Sequence, residues 1–555
     1  MTVYVGKNVQ VVVQRPVEEP VSDRLIELYN YVPVKASDVG GHEAYHHSAS
    51  SEPTPPFGAE LADSEYGQIE WSDNVRFSKP TSVNGEYAMM LFRFKCGFPE
   101  SDVKKIVVTF EGYGTAPAGN GVTVKIWDHV SSAWSNEVSG TAGADETLTI
   151  TLTTNLGNYI DGDGYIWVLA RTTNPSDGTT EAVLHCDYVE CYVTRANFKV
   201  SYTPISDRDM DGVPDEPEHV TVKVNGIEAT VSSVDDDLGE VVLASGDLNK
   251  DDYVVASYRY DETPYIAQEI TLEPKQRIEG LDGLGSDTVQ AWAVLQKEID
   301  GSIKEVYKPG DPSQVERLTA FKERHEPFNT DSEWEPTWNP DYWWIDHGKY
   351  TFQYSGGYGI SVWKQSERES FIYKCRVKVQ PLSNRIAGII CRYKDYDKYY
   401  LFRFKAQSGG PTVLYYRNPS MGLIELSGLN RDFQTDKWYT LMLVVRKEGE
   451  TQRIACYLDD RFLFAADHSA YTDGRLSLYA YACKAWFDDA VMRPLNAPTG
   501  EAGIIISWDQ AGQTVKVGLD GVVFPEGSIP SPKNSPVFIV TPFKARQIKL
   551  IEQEG

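Results

Sequence analysis

The sequence predicts a mainly β protein: a discontinuous β-sandwich core with one helix, interrupted by two inserted jelly-roll β-sandwiches. Three observations carry this. Aromatics make up 12% of the 555 residues, with 33 Tyr and 13 Trp, a bias suited to pleated, half-buried surfaces. Short alternating runs recur between Gly, Asn, Asp and Ser turns. The closing stretch from Gly521 to Gly555 reads as two strands about a proline-punctuated bend that buries neither face alone. Its best partners, roughly Thr263 to Lys308, lie upstream of a module large enough to fold by itself.

Taken in order, residues 1–56 hold an opening strand, GKNVQVVV, and a polar linker containing an exposed SASSEPTPP segment and His46-His47. Residues 57–197 run as KKIVVTFEGYG, GVTVKIWDHV, ETLTITLTTN, YIWVLARTT and AVLHCDYVECYVT, the spacing of a jelly roll. Residues 198–326 return to the core with HVTVKVNG, DDLGEVVLASG and DDYVVASYRYDE, then a helix over DPSQVERLTAFKERH capped by Asp311 or Ser313. Residues 327–495 form long alternating strands of a second sandwich, and 496–555 supply the last core strands.

The net charge of −27 and pI near 4.8 argue against a basic surface that grips nucleic acid. Residues 1–15 lack the charged, apolar and small-residue succession of a signal peptide, and no apolar run approaches a membrane span. Seven cysteines show no CxxC spacing and fall mostly in apolar strands, which reads as a reduced core set. Cys186 and Cys191, five apart on one strand, are expected on opposite faces, unable to bridge.

The sharpest motif is Asp207, Asp209, Asp211, Gly212, Val213, Asp215 and Glu218, which fits D-x-D-x-D-G-x5-E. Carboxylates at loop positions 1, 3, 5, 9 and 12, with the Val213 carbonyl at 7, suit calcium; the alternative is an unliganded acidic turn. Asp247 to Asp252 lacks the required Gly and the final acid and reads as a turn, as does Asp161-Gly-Asp163-Gly164. Glu298, Asp300 and Glu305 miss the spacing of a paired-carboxylate glycosidase. Trp334, Trp338, Trp343 and Trp344 offer flat apolar faces for sugar rings, although aromatics there more often pack. No catalytic constellation assembles, so a non-enzymatic protein is expected.

Three resemblances follow. The W…W…WW…G-K-Y run, the D-x-x-Y-Y-L-F-R-F strand and the closing WFDDAVM make residues 327–495 look like a concanavalin A-like, laminin G-type jelly roll. The closing DYVECYV of the first sandwich resembles carbohydrate-binding sandwiches. The pair EVVLAS…VVASYRY with the closing IPSPK…FKARQIK resembles a major tail tube protein of tailed viruses or related injection machines. That family implies stacked, usually hexameric, homo-oligomeric rings in a virion tail assembled in the host cytoplasm, with nucleic acid passing unheld through the lumen. Both sandwiches would then decorate the outside, where they could meet host glycans. The bend bearing Phe524, Ile529, Pro530, Pro532, Val537 and Phe543 would be the arm to the next subunit. The alternative reading is a secreted or cell-surface carbohydrate-binding protein; a glycan hydrolase is a remoter one.

Overall fold

Strand Gln10–Pro20 runs through the middle of a six-stranded sheet and joins distant parts of the sequence. On one side it pairs antiparallel with Val254–Glu262, and on the other parallel with Thr514–Gly518. The order continues outward through Thr221–Val224 to Ile227–Ala229 at one edge and ends at Ile506–Asp509 at the other. The computed structural model describes residues 10–32, 41–206, 214–262, 294–297, 303–307, 324–364, 366, 370–495, 506–509 and 514–518. The mainly β expectation holds: among these residues, α-helix is confined to Ser22–Leu25 and Asp63–Tyr66. Most of the stretch read as a helix, and the arm residues Phe524 to Phe543, lie outside the described residues. The end of that stretch, Arg324–Glu326, is a strand paired with residues 490–492.

The first sandwich packs two sheets. One is Glu146–Leu152, Val103–Thr115, Ala182–Arg195 and Ile26–Tyr29, with Phe77–Thr81 also on Ala182–Arg195. The other runs from Ala59–Glu60 through Glu43–Ala49, Tyr87–Lys95, Tyr165–Thr172 and Val122–Asp128 to Ala133–Ser139. Alternation explains the packing: Ala88, Met90, Phe92 and Phe94 all turn into the core.

The polar stretch read as a linker contributes two of these strands. Glu43–Ala49 hides its signal because only Ala44 along it is fully buried. His46 and His47 are half-buried against Phe77 and Phe57 rather than exposed. Glu52 accepts hydrogen bonds from Arg171 and Lys125, and the Pro53 carbonyl accepts one from Trp134. This straps the SEPTPP segment to the sheet that bears Trp127 and Trp167.

Cys186 and Cys191 join the same core, contrary to strict alternation. A β-bulge between Cys186 and Tyr188 inserts one residue and restores both thiols to one face. All seven cysteines are buried and unbridged.

In the second sandwich the long strands Phe371–Asp395 and Arg475–Pro494 pair with each other along their length. Register breaks divide each into halves that serve different layers. Residues 371–378 pair with Trp438–Glu448, whereas residues 386–395 pair with Lys398–Lys405. Trp334, Trp343, Phe352, Phe402 and Phe487 fill the space between the layers.

The units are not beads on a string. One apolar cluster takes Val17, Val21 and Leu25 from the N-terminal segment, Val107 and Tyr192 from the first sandwich, and Met442, Val444 and Tyr457 from the second. Beside it lies a buried ionic knot. Arg446 donates from one terminal nitrogen to both oxygens of Asp23 at 2.9 Å, and its Nε reaches Glu19 at 3.3 Å. Arg453 also donates to Asp23, at 3.2 Å. Burial alone would raise the pKa of Asp23, but Arg446, Arg453 and Arg24 outweigh it and hold the carboxyl below its usual range. Glu19 behaves likewise, with burial opposed by Arg24 and Arg446.

Candidate functional site

The four tryptophans singled out in the sequence separate into packing and surface pairs. Trp334 and Trp343 are 3% and 7% exposed and belong to the core between the layers. Trp334 stacks on Trp363 at 5.3 Å, and Trp343 lies 5.0 Å from both Tyr350 and Phe352. Trp338 and Trp344 reach two different outer faces. Trp344 is 37% exposed on strand Trp343–Asp346, where its neighbour Trp343 must point the opposite way.

Trp338 lies in a stacked run on the outer face of one layer. Tyr396, 49% exposed, stacks on Trp338 at 5.4 Å. Trp338 stacks on Tyr358 at 5.4 Å with an interplanar angle of 5°, and Tyr358 on Tyr479 at 5.9 Å. The strand order explains the run. Residue 338 opposes Ile360, which opposes Tyr479, so alternate residues of three neighbouring strands share one face, which carries its own buried apolar cluster that includes Ile360 and Tyr479.

Beyond Tyr479 the same row meets Gly388 and then Arg403. A β-carbon on Gly388 would lie 2.3 Å from the Phe402 carbonyl, so the position stays bare and Tyr479 and Arg403 meet across it. Arg403 donates to the Tyr415 hydroxyl at 3.0 Å, and that hydroxyl donates to Glu425 at 3.0 Å. Burial pushes the Tyr415 phenol up to about 12 despite the opposing Arg403, so it stays protonated as a donor. Arg417 pairs with Asp397 at 3.1 Å. Glu425 and Asp397 therefore hold protein partners.

The far end of the face is walled by the first sandwich. Trp71 packs against its apolar cluster, and Gly428 leaves room for that indole. Asn30 donates to the Gly428 carbonyl at 3.1 Å, and Asn430 donates to the Ser72 carbonyl at 3.2 Å. Tyr358, Tyr396, Tyr479 and Trp71 were not singled out from the sequence. The first three were detectable by continuing the alternation outward from Trp338, whereas Trp71 belongs to another unit and leaves no local signal.

Of the acidic loop, Asp207, Asp209, Asp211 and Val213 lie outside the described residues. Asp215 adopts φ +63° and exchanges hydrogen bonds of 2.9 Å with Asp236, amide to carboxylate in each direction. His219 packs its Nδ1 3.0 Å from the same Asp236, and Glu218 sits in the turn Pro217–His219. One of the expected ligand carboxylates is thus already met by a protein donor. Among the described residues no cluster of three or more His, Cys, Asp or Glu side chains is arranged to hold a metal. In the Asp247 turn a cation is present as a side chain: Lys105 of the first sandwich reaches Asp247 at 2.8 Å and the Leu248 carbonyl at 3.1 Å. Asp161 caps its own turn by accepting from the amides of Asp163 and Tyr165. Glu298 and Asp300 lie outside the described residues, and Glu305 falls on strand Ile303–Tyr307.

A family described as "AF_1625_C: Uncharacterized protein, C-terminal domain" matches residues 40–195, which is the first sandwich. No curated protein matches the chain in sequence. Among solved structures, a carbohydrate-binding module, CBM66 from Bacillus subtilis, is similar with 17% identity and a TM-score of 0.26, covering 29% of this chain and 95% of that one. A Bacillus licheniformis β-glucanase gives 11% and 0.25 over 31% of this chain and 97% of its own. The carbohydrate recognition domain of Emp46p gives 10% and 0.25 over 30% and 94%. Likeness at this level says nothing of what this chain binds. No described helix is long and apolar enough to cross a membrane.

Proposed function

We propose that the chain recognises carbohydrate, and that the second sandwich holds a neutral glycan along its tyrosine face without cleaving it. The stacked run Tyr396–Trp338–Tyr358–Tyr479 carries this reading. Tyr396, at the exposed end of the run and backed by Trp338, offers a flat ring that suits the apolar face of a pyranose. The hydroxyls and guanidinium beyond them supply the few placed polar groups a binding face needs. Glu425 and Asp397 are engaged by Tyr415 and Arg417, which favours holding over hydrolysis.

A glycan array followed by calorimetry on the full chain tests this. Losing one stacking ring costs roughly 1.5 kcal/mol, so Trp338→Ala should weaken binding about tenfold, with no new reducing ends released from bound glycan. Unchanged affinity in that variant, or product release by the wild type, would overturn the reading.

A second reading, a tail-tube-like assembly core, is favoured by the six-stranded sheet that gathers strands from near both ends of the described chain and ends in edge strands. Ile227 on the edge strand Ile227–Ala229 is 75% exposed, and an open edge is a template for another chain. Electron microscopy of the purified protein distinguishes rings or filaments from single particles.

A further inference from the structure

The outer face of the other layer of the second sandwich carries a row of tryptophans that the tyrosine face does not include. Trp344 on Trp343–Asp346 opposes Thr351 on Lys349–Gln353, and Thr351 opposes Trp486 on Arg475–Pro494. Trp486 opposes Lys378 on Phe371–Asp395, and Lys378 opposes Trp438 on Trp438–Glu448. Five neighbouring strands thus place Trp344, Thr351, Trp486, Lys378 and Trp438 in one cross-strand row. Alternation puts Trp343, Ala485, Phe487, Val377 and Tyr439 on the opposite, core face. Trp344 is exposed, and Trp486 and Trp438 are half-buried.

The spacing is regular. With strands about 4.8 Å apart, indoles on every second strand repeat at about 9.5 Å. That is close to the two-ring repeat of an extended β-linked pyranose chain, so alternate sugars can stack while the sugars between them cross the gaps. The two gaps differ. Thr351 in the first is small and fully buried. Lys378 in the second holds its ammonium 4.3 Å from the Trp486 ring centre and 5.4 Å from that of Trp438. Its neighbours Lys484 and Arg376 pair with Asp346 and Asp489, at 3.7 and 3.0 Å, and also lie against the indoles, Lys484 4.7 Å from the Trp486 ring centre and Arg376 5.0 Å from that of Trp438. No carboxylate pairs with Lys378 among the described residues.

We infer that this row is a second carbohydrate site, specific for a linear acidic polysaccharide of uronic acid type. Sugar rings pack along the line of Trp344, Trp486 and Trp438, and the sugar over the second gap brings its carboxylate to Lys378. In a protein of net charge −27, such a ligand needs a local cation, and the row provides one between two platforms. The inference stands apart from the tyrosine face, since no residue is common to both.

The test is calorimetry of the full chain with a β-1,4-linked mannuronate hexasaccharide, against neutral mannohexaose. Wild type should prefer the acidic oligomer by at least tenfold. Lys378→Met should abolish that preference while keeping the weaker neutral binding, and raised salt should weaken only the acidic complex. Trp486→Ala should lose binding of the acidic oligomer, Trp486→Tyr should retain most of it, and Trp338→Ala should leave it unchanged. Absence of acidic binding in the wild type, equal affinity for both oligomers, or full affinity in Trp486→Ala would each overturn the inference. Because Trp338→Ala is the variant that tests the tyrosine face, failure there and failure here are read separately.

Discussion

Asp23 is a fully buried carboxylate in a four-residue helix, yet it accepts from Arg446 and Arg453 more than 400 positions away in sequence. Removing one partner of a buried pair costs about 3–5 kcal/mol, because the other charge is stranded. Asp23→Ala should lower stability by that order in denaturant unfolding, far more than an exposed acid such as Asp177. The pH dependence has a definite sign. The folded pKa values of Asp23 and Glu19 are depressed, so their contribution is complete above the unfolded values of about 4. It is lost as pH falls through the folded ones, and acid should release this junction before it melts the sandwich cores.

Asp187 works in the opposite direction. It sits at the β-bulge with one carboxylate oxygen buried and lacking a hydrogen-bond partner. Burial, with Glu111, Asp145 and Asp73 nearby, pushes its pKa up to about 6. A raised carboxyl pKa means the folded state binds the extra proton, so stability falls as pH rises from about 4 through 6. Asp187→Asn should flatten that portion of a stability-versus-pH curve measured by urea unfolding; an unaltered slope would exclude Asp187 as its source.

At the scale of elements, alternation made most strands readable, and it failed where a single residue changed the parity. The bulge at Cys186 to Tyr188 has no compositional mark, because a register slip is decided by the partner strand and not by the bulged residues. The tryptophans divide by the same rule. Trp343 and Trp344 are adjacent and must face opposite ways, so one was bound to be core and one surface. Trp486 and Trp438 were not singled out as ligand contacts, since the closing WFDDAVM was read only as a mark of the jelly roll, although Lys484, Trp486 and Asp488 already share the outward parity. What sequence alone could not give is contact between units. Trp71 meets the second sandwich only because Gly428 has no side chain: a β-carbon there would lie 3.1 Å from the indole and 2.9 Å from the Thr412 carbonyl. Gly428→Ala should cost about 1–3 kcal/mol by overpacking and shift the emission of Trp71, measured against a Trp71→Phe control.

At the scale of the whole molecule, the shared apolar cluster and the Arg446 knot bind the sandwiches to the sheet they interrupt. The units therefore keep fixed orientations, as a scaffold for the two proposed binding faces requires. If the six-stranded sheet is also the assembly element, deletion of Phe524–Gly555 should abolish rings or filaments while circular dichroism and glycan binding persist. Filaments formed without that segment would refute the arm.

The parallel pairing of Gln10–Pro20 with Thr514–Gly518 also sets a clock on synthesis. The first strand leaves the ribosome about 500 residues before its partner, a delay of roughly 25–100 s at about 5–20 residues per second. Throughout that interval one edge of the strand has no partner, and by its end both sandwiches have already been made. If copies also assemble through this sheet, nascent chains on one polysome would meet in that state, and translation speed would set whether the edge closes within its own chain or on a neighbour's.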